Sequence, residues 1–224
     1  MTHSWTRRQR RLVESIDRWF SGVRTKHSEQ MQCGRGCSLC CYGLFDVSFP
    51  DALMVAEGLS TLPDDTRAAL TACAAAIQQT IHREAPELKS PFLLSEISEE
   101  CIDRIVACMG SQRCPFLDEQ NECLIYQYRP LACRLEGAPM VDAQDGLFGD
   151  WCELNFTAGV PAEAMKDLER DYYQIQDAEE NLTESLTRTL LGRKLSCATV
   201  FIPSLIVEFE SYWKKLLREA GGLP

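Results

Sequence analysis

Residues 33–43 read Cys33-Gly34-Arg35-Gly36-Cys37-Ser38-Leu39-Cys40-Cys41-Tyr42-Gly43, four cysteines within nine residues of a glycine-rich stretch. No apolar repeat runs through it, so the segment from Met31 to Phe45 is expected to be a loop rather than a helix or strand. Glycine permits the positive φ angles and close backbone approach that folding around a small centre requires. Thiolates are the soft ligands that zinc and iron–sulfur clusters take in tetrahedral sets. A pair of nearby cysteines would be weak support for such a site. Four on one irregular loop would, without a metal, leave reactive thiols unused.

A second, more dispersed set follows: Cys114, Cys123, Cys133 and Cys152. Its spacing alone is only suggestive, and the surrounding residues add to it. Pro115 and Pro130 stiffen turns beside two of the cysteines, which pre-organises them. Arg129 and Arg134 flank Cys133. Four thiolates around a zinc ion or a cubane cluster leave net negative charge, which nearby guanidinium groups stabilise. Tyr126 is placed to donate a hydrogen bond to a sulfur. Taken singly, Tyr126 and the two arginines read equally well as packing and surface charge. Asp118-Glu119-Gln120-Asn121-Glu122 has the composition of a hairpin turn, and residues 142–150, with Asp142, Gly146 and Gly149, read as a surface loop.

These motifs resemble one family. Cys33-x3-Cys37-x2-Cys40-Cys41, then Cys114-Pro115-Phe116-Leu117, then Cys123-Leu124-Ile125-Tyr126-x2-Arg129-Pro130-x2-Cys133-Arg134 is similar to the YkgJ family of cysteine-cluster proteins, described as zinc- or iron-chelating. The likeness covers about residues 31–152, with both halves in order. It implies that Cys33, Cys37, Cys40, Cys41, Cys114, Cys123 and Cys133 are ligands, with Cys152 as the late cysteine. The chain departs from shorter members in a long insert, roughly residues 59–110, and in a helical tail. The same signature occurs in flagellin lysine methylases, which are considered to carry an iron–sulfur cluster, so the resemblance permits an enzyme without requiring one. No nucleotide-binding glycine pattern follows a strand.

The rest of the chain reads as helix. Leu12, Ile16, Trp19, Phe20 and Val23 return to one face between Trp5 and about Gln30, as in an amphipathic helix packed on a core. A helix over Pro50 to about Gly58 has Ser48 as its cap. Another, over Pro63 to about His82, repeats Leu70, Cys73, Ile77 and Ile81, which places Cys73 in the core as a small hydrophobe. A helix from about Ser98 to Met109 puts Ile97, Cys101, Ile105 and Cys108 on one packing face. Met165, Leu168, Tyr172, Ile175, Ala178, Leu182, Leu186 and Leu190 predict a helix of some seven turns stopping at Gly192. Leu205, Ile206, Phe209, Tyr212, Trp213, Leu216 and Leu217 predict a final one before Gly221-Gly222.

The fold class is therefore mostly α: an irregular cysteine-rich metal-binding module wrapped by amphipathic helices, with at most short strands. One domain over 1–224 is expected, with the cysteine module at about 31–58 and 111–152, a helical insert at about 59–110, and C-terminal helices at about 161–220.

Composition narrows the function. A net charge of -10 argues against nucleic acid as a partner, because that binding depends on clustered cations. The one basic run, Arg7-Arg8-Gln9-Arg10-Arg11, reads as the solvated start of a helix, and Leu12-Val13-Glu14-Ser15-Ile16-Asp17-Arg18 after it is no signal-peptide core. No apolar stretch reaches the roughly 18 residues of a membrane span. A cytoplasmic location is expected, where glutathione keeps thiols reduced, so twelve cysteines point to metal rather than disulfides. At about one residue in nineteen they also fall short of the roughly 8–10% of a secreted disulfide scaffold.

Metal ions are thus the expected partners. The Cys33-x3-Cys37-x2-Cys40 spacing suits three corners of a cubane, which puts an iron–sulfur cluster or iron first and zinc second, with roles in electron transfer, metal handling or cluster-dependent modification. Two alternatives stand beside this: a zinc-stabilised interaction module docking a protein partner through its C-terminal helices, and an S-adenosylmethionine-dependent radical or methyl-transfer enzyme. The radical enzyme fits less well, because no run of strand–helix units is present to build its barrel. His3, His27 and His82 are scattered, with no nucleophile beside them.

Overall fold

The computed structural model describes residues 4–34, 36–142, 146–148 and 151–221. Helix α1 spans Ser4–Lys26. It buries Trp5, Gln9, Val13, Ile16 and Val23, spaced so as to share one face. The indole N–H of Trp5 donates to the carbonyl of Ala220 at 2.7 Å, joining the two ends of the described chain.

Helix α2, Phe49–Thr61, starts where expected: the Ser48 hydroxyl accepts the Asp51 N–H, with Pro50 in the first turn. It is buried almost all round, and Phe49, Ala52, Leu53, Val55 and Ala56 are wholly enclosed. This is the central helix. Gly58 lets the Ile125–Tyr128 stretch lie directly on it, because a Cβ there would come within 2.8 Å of Tyr128 Cβ and 3.2 Å of Ile125 Cβ.

Helix α3, Asp64–Glu84, has acids in its first turn and His82 and Arg83 in its last, matching the helix dipole. Helix α4, Glu99–Cys108, is capped by Ser98. Leu44, Ile77, Ile81, Leu88, Leu94, Cys101, Ile105, Met109 and Phe201 form a core of their own. Two cysteines depart from expectation here. Cys73 and Cys108 are exposed, whereas Cys101 is buried. On α3 the buried positions are Leu70, Ala74, Ile77, Gln78 and Ile81, so the inward stripe passes through Ala74 and leaves Cys73 at its edge. Cys108 lies on the last turn of α4, past Ile105, the last residue that helix buries.

The strands are short. β1, Asp46–Ser48, pairs antiparallel with β5, Thr199–Phe201. β2, Met140–Asp142, lies between β3, Gly146–Phe148, and β4, Glu169–Arg170. Asp142 is buried in β2, and Gly146 begins β3, so the expected surface loop at 142–150 is in these parts a β-hairpin. Gly149 lies outside the described residues.

The long C-terminal helix is also interrupted. Between α6, Met165–Leu168, and α7, Tyr172–Leu191, the backbone extends at Glu169 to pair with β2, and the Asp171 carboxylate accepts the Gln174 N–H to begin a new helix. α7 ends as expected at Gly192, with φ 68°. The last helix divides into α8, Ile202–Val207, a π-turn over Phe209–Trp213, and α9, Lys214–Glu219. That turn brings Trp213 fully inside, against Phe49 with ring centroids 5.4 Å apart. Short α5, Leu131–Leu135, packs on α1. Among the described residues no helix is long and apolar enough to cross a membrane.

Candidate metal centre

Backbone hydrogen bonds bring the cysteine-bearing segments together. The first loop folds on itself through Cys37 N to Gly34 O at 3.1 Å and Cys41 N to Ser38 O at 2.8 Å. It is then stitched to the second segment by Cys114 N to Cys41 O at 2.9 Å and Gly43 N to Gln112 O at 2.8 Å. Residues 114–124 close as the expected hairpin, in which Asp118 Oδ1 accepts the N–H groups of Gln120 and Glu122 at 2.9 and 2.8 Å. Arg113 reinforces it by donating to the carbonyls of Leu117 and Asp118. The chain then crosses α2 and enters α5, which carries Cys133. The loop carrying Cys152 returns to the first through Phe156 N to Gln30 O at 2.8 Å.

Several of the thiols lie within electrostatic reach of one another. Cys133 is within electrostatic reach of Cys114, Cys123 and Cys40, and Cys114 of Cys123 and Cys40. Cys33 is within reach of Cys152, Cys37 and Cys40, and Cys40 is hydrogen-bonded to Cys41. The eight cysteines singled out in the sequence thus form one connected set, with Cys40 between its two halves. The other four are Cys73, exposed on α3 in a groove that Cys114 also lines, Cys101 beside Arg104 and Glu84, Cys108 against the Ile105 carbonyl, and Cys197 near Asp46, Glu180 and Glu99. All twelve thiols are free. Among the described residues, no three His, Cys, Asp or Glu side chains are drawn to a common point as the ligands of one ion would be.

The same crowding sets the titration of the thiols. Burial first, then the sulfurs of Cys114 and Cys123, pushes Cys133 up to about 12. Burial raises Cys114 to about 11, opposed by the Phe116 N–H. Cys40 is raised most of all, by its hydrogen bond to Cys41 and then by burial. Burial also raises Cys33 and Cys123, against the pull of Asn155 on the one and of the Ile125 N–H on the other. Crowded, desolvated thiols stay protonated, and a bound cation reverses that balance.

A family model, CxxCxxCC, described as "Putative zinc- or iron-chelating domain", matches residues 32–153, more than half of the chain. The chain belongs to this family. No curated protein and no solved structure matches it.

The cysteine surroundings fit such a centre. Amide donors already point at sulfur: Asn155 Nδ2 lies 3.1 Å from Cys33 Sγ, and the Phe116 and Ile125 N–H groups bond Cys114 and Cys123 two residues back. Hydrogen bonds of this kind stabilise a thiolate and its metal. Gly137, with φ 106°, leaves room for the Cys33 sulfur, which would stand 3.0 Å from a Cβ at that position.

Arg134 is buried and donates to the carbonyls of Arg129 and Gln127 at 2.9 and 2.8 Å, and both arginines pair with Asp17. Both also hold down the Cys123 pKa, which puts their charge within reach of that sulfur. Tyr126 is 53% exposed, and its ring carries the Arg129 guanidinium, 4.2 Å from carbon to centroid.

Asn155 joins the site although its residue type and spacing did not mark it. It is wholly buried; its Oδ1 accepts the Gln32 N–H at 2.7 Å, and its Nδ2 reaches the Gly137 carbonyl at 2.6 Å as well as Cys33. The only sequence signal was its place three residues after Cys152.

Proposed function

We propose that Cys40, Cys114, Cys123 and Cys133 are the thiolate ligands of one metal centre, and that Cys33, Cys37, Cys41 and Cys152 serve a second beside it. The observation that supports this reading is the backbone that joins their segments, Cys114 N to Cys41 O at 2.9 Å and the Leu117–Cys123 bridge, with Cys133 in electrostatic reach of the other three. These four cysteines come from three separate stretches of chain. The first centre is an iron–sulfur cluster, supplying one-electron chemistry when bound, and zinc is the alternative that the family description keeps open. The protein's own part is to exclude water from the sulfurs, offer amide N–H groups to the thiolates, and hold Arg129 and Arg134 where they offset negative charge. Such thiolates require a reducing compartment, the cytosol.

The test is purification without oxygen, followed by analysis for iron, acid-labile sulfide and zinc alongside a visible spectrum. A coloured protein with iron and sulfide in equal amounts, losing both in Cys133→Ser and neither in Cys73→Ser, is the expected result. A colourless protein with stoichiometric zinc replaces the cluster by zinc. Folded protein with neither metal overturns the reading.

A further inference from the structure

Where α1, α2 and α5 meet, the carboxylate of Asp51 is 2% exposed, with Gln9 buried against it and Glu179 and Arg134 within electrostatic reach. Its Oδ1 accepts Gln9 Nε2 of α1 at 2.6 Å, and its Oδ2 accepts the backbone N–H of Leu131 at 2.6 Å. Burying a carboxylate is costly, so its bonds need an explanation. Leu131 is the first residue of α5, and the residue before it, Pro130, has no side chain that could cap the helix. The first N–H groups of a helix lack partners within it. Asp51 therefore supplies, from α2, the acceptor that α5 lacks. Two residues further on, α5 carries Cys133, itself within electrostatic reach of Asp51.

We propose that Asp51 is the positioning residue for the Cys133 ligand: through the Leu131 N–H it fixes where the Cys133 sulfur stands relative to Cys40, Cys114 and Cys123. This rests on the reading of Cys133 as a ligand. The carboxylate acts through its hydrogen bonds rather than its charge, and the surroundings allow the two to be separated. Gln9 Oε1 is buried without a partner among the described residues. In an Asp51→Asn variant, rotating the Gln9 amide presents that oxygen to the new side-chain Nδ2, while the new Oδ1 still accepts the Leu131 N–H. Asp51→Asn thus keeps both anchors and loses only the charge, whereas Asp51→Ala loses both and leaves the Leu131 donor buried and unpaired. The other charged groups in reach are Glu179, which accepts the Ser48 hydroxyl at 2.6 Å, and Arg134, which pairs with Asp17; both variants remove the same charge beside them, so the difference between the two reports the hydrogen bonds.

The experiment is zinc competition against a chromophoric chelator on the full chain, zinc serving as a redox-inert probe of the thiolates. Outer groups that orient a ligand typically change metal affinity by about 10–100-fold. Asp51→Ala is expected to weaken zinc binding by at least about tenfold, and Asp51→Asn to restore it to within about twofold of wild type, the signature of a hydrogen-bonding role. An Asp51→Ala variant that folds with unchanged affinity overturns the inference, as does an Asp51→Asn variant as weak as the alanine. Should the alanine variant not fold, amide exchange in the wild type decides: the Leu131 N–H is expected to be protected, and fast exchange there overturns the proposal. Cys133→Ser runs beside these. If it leaves zinc binding intact, the ligand assignment itself fails; if it weakens binding while Asp51→Ala does not, only the Asp51 proposal fails.

Discussion

Gly137→Ala tests the seating of Cys33 with a single methyl group. The added Cβ would lie 3.0 Å from Cys33 Sγ, 3.5 Å from Asn155 Nδ2 and 3.6 Å from Phe20 Cε2, at a backbone φ of 106°. The φ alone costs an L-residue roughly 1–2 kcal/mol. The sulfur contact is inside the roughly 3.5–4.0 Å optimum for heavy atoms, and forcing a methyl into a packed site adds about 1–3 kcal/mol. Gly159 provides the control, because its φ is 87° but nothing lies within 4 Å of its Cβ position. For a chain of this length each kcal/mol moves Tm by about 2–4 °C. Gly159→Ala is therefore expected to lower Tm by roughly 2–8 °C with metal binding intact. Gly137→Ala is expected to lower it by roughly 4–20 °C, and zinc affinity by at least about tenfold, since both the ligand and its amide donor are displaced. Differential scanning calorimetry and chelator competition read both. If the two variants prove equal in Tm and in zinc affinity, Cys33 is not seated as argued.

Three further outcomes follow from the same geometry. Asn155→Ala leaves the Gln32 N–H and the Gly137 carbonyl without their partner, and at about 1–3 kcal/mol for each orphaned buried group it should cost roughly 3 kcal/mol in denaturant unfolding; a loss under about 1 kcal/mol contradicts the assigned role. Burial and crowding keep Cys40, Cys114, Cys123 and Cys133 protonated near neutral pH, so loading their centre releases about four protons and apparent affinity rises with pH. Calorimetric titration in buffers of different ionisation enthalpy counts those protons, and one or none contradicts the ligand set. Ser at exposed Cys73, Cys108 or Cys197 should change stability by no more than about 0.5 kcal/mol and leave the metal content unaltered.

Features carried by local chemistry were legible in the sequence. Ser48 and Ser98 cap the helices they precede, because a hydroxyl accepting an N–H three residues on is a short-range device. Gly192 ends its helix at positive φ for a similarly local reason. The two cysteine groups stood out because residue type and spacing are visible without the fold. What failed depended on tertiary context. The apolar repeat from Met165 to Leu190 runs through a break that pairing with β2 imposes at Glu169, and strands of two or three residues are too short for alternation to register. Cys73 and Cys108 sit one step off their stripes, a distinction that helical periodicity alone does not draw. Asn155 and Asp51 are polar residues with ordinary sequence surroundings, and only their burial and partners mark them.

X-ray absorption at the metal edge of anaerobically isolated protein examines the thiolate centre most directly. A first coordination shell made of sulfur alone, at roughly 2.3 Å and losing a scatterer in Cys133→Ser, is the expected result. A shell dominated by nitrogen or oxygen, or a spectrum unmoved by that substitution, would contradict it.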